Sequence, residues 1–227
     1  PGDFGRPIFG GTFNSDFHIA KKPLMPVMQS LAPLIVGMDN GLQAAAVILQ
    51  QDMRQRVNVL GEAYVPDGKT MSVERFLDTI FQPYFAAKFP QINRANVMFV
   101  VDPACFHRSE VDEKTIAQAI ATRGWRVVKG NTNDPEIRIG AVEGLLARQI
   151  DAEPGLRFDA ECSHVIEAME WGYRYKKNGV TPDKTHHSHI SDALQYACLQ
   201  YSIYAGTGGV VPQVTRREVQ KRPYRYT

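Results

Sequence analysis

The sequence predicts an α/β domain built on a mixed sheet, an antiparallel meander joined to parallel strands, with helices packed on its faces. Two observations carry that reading. Three short apolar runs follow one another between Leu34 and Val65 with turn-forming residues between them. From Val97 onward, apolar strand-like runs alternate with helix-period segments, which is the pattern of a sheet covered by helices.

Residues 1–33 carry several Gly and Pro, as in PGDFGRPIFGG and KKPLMP, without a sustained period. They read as an irregular lead-in or linker. Leu34–Met38 is a first strand, and Asn40-Gly41 is a strong two-residue turn signal before a second run, Ala44–Leu49. A third strand over Val57–Val65 completes the meander. Ser72 can cap a helix reaching Lys88, with Met71 and Phe76 as a hydrophobic staple, Val73, Phe76, Leu77, Ile80 and Tyr84 on one face, and a kink at Pro83.

Val97–Val101 is an unbroken apolar run of the kind buried on both faces in a parallel sheet, and Asp102 ends it. A helix over 112–122, a strand over Trp125–Val128 and a helix from Pro135 to Ile150 follow, Pro135 suiting a first helical turn. Two more helices are expected, Glu161–Glu170 and Ser188–Tyr204. Between them lies the basic stretch Tyr173–Lys184, whose Asn178-Gly179 predicts a hairpin. Beyond 204 the chain is Gly-rich and then basic. The expected organisation is a lead-in at 1–33, one domain at 34–204 and a flexible basic tail at 205–227.

Composition supports a self-sufficient core: 227 residues, 44% hydrophobic and 22% charged. Cys105, Cys162 and Cys198 form no C-x-x-C pair, so neither a disulfide framework nor a cysteine zinc site is indicated, and a reducing compartment fits best. No apolar run approaches the roughly 20 residues that span a bilayer, and the start lacks the regions of a signal peptide; a soluble protein is expected, with no membrane partner. The net charge of +2 does not announce a nucleic-acid binder, because phosphate attraction needs a local basic patch. Pro1 in place of an initiator Met suggests a piece of a longer chain.

Three aspartates are the candidate chemistry. Asp39 and Asp102 each end an apolar strand, and open α/β sheets place their sites at the carboxyl ends of strands. Turn chemistry is the ordinary alternative for both, given the adjacent Asn40-Gly41 and Pro103. Asp192 falls in the first turn of the last helix, beneath Tyr196, Leu199 and Ile203 on one face, so its carboxylate points toward packed protein; complementing the helix dipole is its ordinary alternative. Three converging carboxylates would repel one another, and Mg2+ with its preference for oxygen ligands resolves the conflict.

Other motifs carry less. Gly68-Lys69-Thr70 fails the phosphate-loop pattern because position 63 is Ala63 where glycine is required, so no ATP site is expected. His186, His187 and His189, in a loop before the last helix, read as solvated or as supports for a neighbouring ligand rather than as zinc ligands. The hairpin cations Arg174, Lys176, Lys177 and Lys184 form a solvated face, with Tyr173 and Tyr175 interleaved as in contacts with a nucleic-acid backbone.

Taken together, VGMDNG, MFVVDPA and HHSHISDALQYACL, with KGNTNDPEIRIGAVEGLL and the Trp171–Lys184 stretch between them, resemble the C-terminal nuclease domain of the large terminase subunit of tailed bacteriophages. The likeness spans residues 7–204. It implies a ribonuclease H-like fold and an endonuclease that cuts concatemeric viral DNA during genome packaging, using Mg2+ or Mn2+. Asp39, Asp102 and Asp192 would be the catalytic metal ligands. In a two-metal scheme, with ions about 3.5 to 4 Å apart, Asp39 would bridge both and the other two would each complete one shell. His189 would support a ligand, and Arg108, Lys129, Arg138, Lys176, Lys177 and Lys184 would lie along double-stranded DNA without reading bases. The resemblance further implies partnership with an ATPase domain, a small terminase subunit and a capsid portal, in the cytoplasm of an infected or lysogenic bacterium. Two alternatives stay open: a junction resolvase or transposase with the same acidic triad, and a non-catalytic module that binds DNA or a portal.

Overall fold

The computed structural model describes residues 5–28, 32–41, 43–107, 115–177 and 179–205, with side chains to 201. Arg108, Asn178 and the expected basic tail beyond 205 lie outside the described residues. Among the described residues the main sheet has six strands. A meander of β1 (Leu34–Asp39), β2 (Ala45–Gln51) and β3 (Val57–Tyr64) is antiparallel, and β4 (Val97–Val101) lies parallel to β1 on its other side. β5 (Arg126–Lys129) extends that edge in parallel. The hairpin strands β6 (Gln149–Ile150) and β7 (Glu153–Pro154) stand apart, and β8 (Leu156–Phe158) pairs in parallel with β3 at the opposite edge. The mixed sheet expected from the sequence is therefore present, with β8 as an addition.

Alternation along the strands divides the core. Leu34, Val36 and Met38 join Phe76, Phe81, Phe99 and Trp125 on one face; Ile35, Val47 and Val100 join α-helical residues such as Val142, Leu194 and Ala197 on the other. Burial on both faces explains why β1 and β4 read as unbroken apolar runs.

On the first face, Ser72 caps α2 (Val73–Phe76), which runs through a wide π turn at Leu77–Phe81 into α3 (Gln82–Lys88). The expected disturbance at Pro83 takes this form: Pro83 has no N–H for the Thr79 carbonyl, and the preceding Gln82 N–H reaches back to Leu77. A capping box of Thr115 and Gln118 starts α4 (Ile116–Ala121). On the second face lie α5 (Pro135–Ala147), capped by Asp134, α6 (Ser163–Glu167), which continues as a π turn to Gly172, and α7 (His186–Ala205).

Several expectations change. The lead-in is no detached linker: Ile8, Phe9 and Phe13 are buried, Ile8 N–H bonds the Tyr173 carbonyl, and α1 (Ser15–His18) feeds a bridge from Ile19 to Phe158. Asn40-Gly41 does not make a two-residue hairpin. Asp39 pairs with Ala45, so residues 40–44 form the connection, and Gly41 takes no positive φ. α7 begins two residues earlier than expected, which puts His186, His187 and His189 on the helix and Asp192 in its second turn.

Gly37 sets how α7 lies on the sheet. A Cβ there would fall on the Ala193 carbonyl oxygen and 2.8 Å from both the backbone N and the Cβ of Ala197. Only glycine lets the helix press onto β1 this closely, and that contact brings the first two turns of α7 to the end of β1.

Candidate active site

β1 and β4 are neighbours and parallel, so Asp39 and Asp102 emerge side by side from their carboxyl ends. Both line an open cleft of about 470 Å³, together with Asn40, Gly41, Gln43 and Lys184 and with His186, Ser188 and His189 of α7. The buried Cys105 thiol registers both charges: burial, then Asp102 and Asp39, push it up to about 12.

Each aspartate has its own support. Asp39 Oδ2 accepts a 2.6 Å hydrogen bond from His189 Nδ1. That bond, with the charges of Asp39 and Asp192, raises the His189 pKa against the opposing effect of burial. Asp102 caps the turn after β4, Oδ1 accepting from the Ala104 N–H at 2.7 Å, while Oδ2 lies 2.8 Å from the Tyr196 hydroxyl, which also meets Asn133 Oδ1 at 2.7 Å. Asp192 is 6% exposed. Arg138 Nη1 donates to its Oδ1 at 3.0 Å and Lys184 Nζ to its Oδ2 at 3.3 Å. Burial raises its pKa, Arg138 and Lys184 pull it down, and Asp39 pushes it up again. The charge of Asp39 acting on Asp192 places the helix carboxylate in the field of the cleft although it does not line it.

The predicted cations fall in different places. Lys184 lines the cleft with a side chain 75% exposed. Lys129 is exposed at the end of β5, in register with Val101, and does not line the cleft. Lys176 and Lys177 are exposed on the stretch before Lys184 but do not line the cleft, and Arg174 and Tyr175 there bridge back to Pro7 and Pro182. Arg138 is 5% exposed and stacked 4.7 Å from the Tyr196 ring. Its guanidinium is committed to Asp192 inside the protein, so its role is internal, contrary to the place along DNA expected for it.

Tyr196 and Asn133 are the site residues that sequence reasoning did not assign. Tyr196 was legible as the residue one turn above Asp192 on the same helix face; that it crosses to Asp102 was not.

The fold has solved counterparts. The large terminase of a thermophilic bacteriophage superposes at a TM-score of 0.62 with 16% identity, over 85% of this chain and 44% of that one. The same enzyme in complex with ATP-gamma-S gives 0.60 and 16%, over 85% and 45%. The P22 large terminase nuclease domain gives 0.58 with 13% identity, over 87% of this chain and 92% of that one. This chain has the fold of a terminase nuclease domain. It spans less than half the length of the thermophilic phage's large terminase and nearly the whole P22 nuclease domain. No family model and no curated protein matches it.

All-oxygen donors in one acidic region suit a hard divalent cation such as Mg2+ or Mn2+. Among the described residues, three ligand atoms of His, Cys or carboxylates come within 4.8 Å of one another only at His164, Glu167 and His187, so the three aspartates do not form such a group. That second cluster lies across the first turn of α7 from the cleft.

Proposed function

We propose that this chain is a divalent-metal-dependent endonuclease domain of the terminase type, cutting double-stranded DNA with little sequence preference. The observation that carries the reading is the pair Asp39 and Asp102 at the carboxyl ends of adjacent parallel strands, opening on one cleft beside α7. Asp39, Asp102 and Asp192 would hold the cations, two in the scheme the resemblance implies. Bound Mg2+ or Mn2+ supplies Lewis acidity at the phosphodiester.

The protein's own groups do the positioning. The His189 N–H holds Asp39 in one rotamer. Tyr196 and the Ala104 N–H do the same for Asp102, and Arg138 anchors Asp192 from behind. Lys184 has a long exposed stem and is free to swing from Asp192 to a phosphate. This cation attracts backbone and reads no bases. By the same reading the intact protein cuts concatemeric viral DNA in the bacterial cytoplasm, alongside an ATPase domain, a small terminase subunit and a capsid portal.

The test is conversion of supercoiled plasmid to open-circle and linear forms with Mg2+, with Mn2+ and with EDTA. Metal-dependent conversion, lost in Asp39→Asn and Asp192→Asn, supports the assignment. Activity that survives both substitutions overturns it.

A further inference from the structure

The cluster of His164, Glu167 and His187 joins two helices outside the aspartate cleft. His164 and Glu167 are one turn apart on α6, and His187 sits in the first turn of α7. Their ligand atoms all lie within 4.8 Å of one another. His187 is 1% exposed, and its Nε2 is buried without a hydrogen-bond partner, 3.5 Å from Glu167 Oε2. An orphaned buried ring nitrogen is costly unless something satisfies it. Two ligands bonded at about 2.0–2.1 Å in a tetrahedron stand roughly 3.3 Å apart, close to the His187–Glu167 separation.

The surroundings are built around these rings. The His164 ring stacks on Tyr64 at 4.1 Å and faces the His187 ring at 5.0 Å, while the Trp171 edge closes on His187. A Cβ at Gly172 would fall on the His187 ring, so the glycine makes room for it. Glu62 fixes the start of α6 by accepting the backbone N–H groups of His164 and Val165. Burial lowers the pKa of both histidines and neighbouring imidazoles add to it, against Glu167 and Asp67, which raise it. Glu167 is 43% exposed and His186 45%, leaving a path from solvent.

We infer that His164, Glu167 and His187 form a second metal site, distinct from the aspartate cleft, for a borderline transition-metal ion of the Zn2+ class. Two imidazoles and one carboxylate suit Zn2+, Co2+ or Ni2+ and discriminate against Mg2+, which takes oxygen. The ion fastens the start of α7 to α6, one turn from His189.

The test uses the full chain stripped with EDTA and held in excess Mg2+, added to compete for the oxygen donors of the aspartate cleft. Titration with Zn2+ is expected to show one site per chain, and Co2+ to give the visible absorption of a tetrahedral centre. Glu167→Gln and His164→Asn should each weaken Zn2+ on the order of tenfold or more, while Asp39→Asn binds it as the parent does. Circular dichroism of the stripped variants separates ligand loss from misfolding; Glu167 is half-exposed, and Glu167→Gln keeps its size. Absence of Zn2+ binding in the parent overturns the inference. So does binding lost in Asp39→Asn and kept in Glu167→Gln.

Discussion

Replacing Gly37 with alanine tests the link between core packing and chemistry. The added methyl would meet the Ala193 carbonyl and approach Ala197 to 2.8 Å, where ordinary contact begins near 3.4 Å. Neither neighbour is the tip of a flexible side chain. α7 must therefore retreat from β1, and the retreat is on the order of 1 Å, a misplacement that can cost about a hundredfold in rate when it moves catalytic groups. Overpacking of this kind also costs about 1–3 kcal/mol of stability. The expected result is a folded protein with a lowered melting temperature and plasmid cleavage reduced by about two orders of magnitude. Thermal unfolding and initial nicking rates measure the two effects. A Gly37→Ala protein as stable and as active as its parent would refute the account of how α7 is seated.

Four further outcomes are expected. His189→Ala should lower cleavage about 10–100-fold through a disordered Asp39, with partial rescue by His189→Asn, read as metal-dependent nicking rates. Arg138→Met should destabilise the fold by about 3–5 kcal/mol in urea unfolding, because Asp192 loses its buried partner. Lys184→Ala should cost up to about 1 kcal/mol through its lost pairing with Asp192 while lowering the salt dependence of DNA binding by about one unit of slope, seen by titration at several salt concentrations. Cys105, Cys162 and Cys198, all buried with thiols pushed up by burial, should resist a thiol-reactive dye at pH 8 until urea unfolds the chain.

The sheet was legible wherever burial is continuous. Val97–Val101 and Leu34–Met38 announce buried strands because no polar residue interrupts them, and each hands its aspartate to the surface where the apolar run stops. Contacts that arise only from tertiary packing were hidden. β8 has three residues and exists because β3 offers an edge. Phe9 and Phe13 sit among Gly and Pro without a period, yet they fill space beside Phe158 and Tyr173. Arg138 shows the same limit: a basic residue near the site was foreseeable, but its partner lies on another helix. The histidines were misplaced in a loop because Pro182 and the polar run before them resemble a longer connection than the structure has.

α7 also concentrates control. His189, Asp192 and Tyr196 follow one another along a helix about 30 Å long by its residue count, and each reaches a different partner: Asp39, Arg138 and Asp102. All three ride on a single rod, so a displacement of the helix acts on them together. A force that slides or tilts the rod would disengage all three supports at once, giving cleavage the character of a latch rather than a dial.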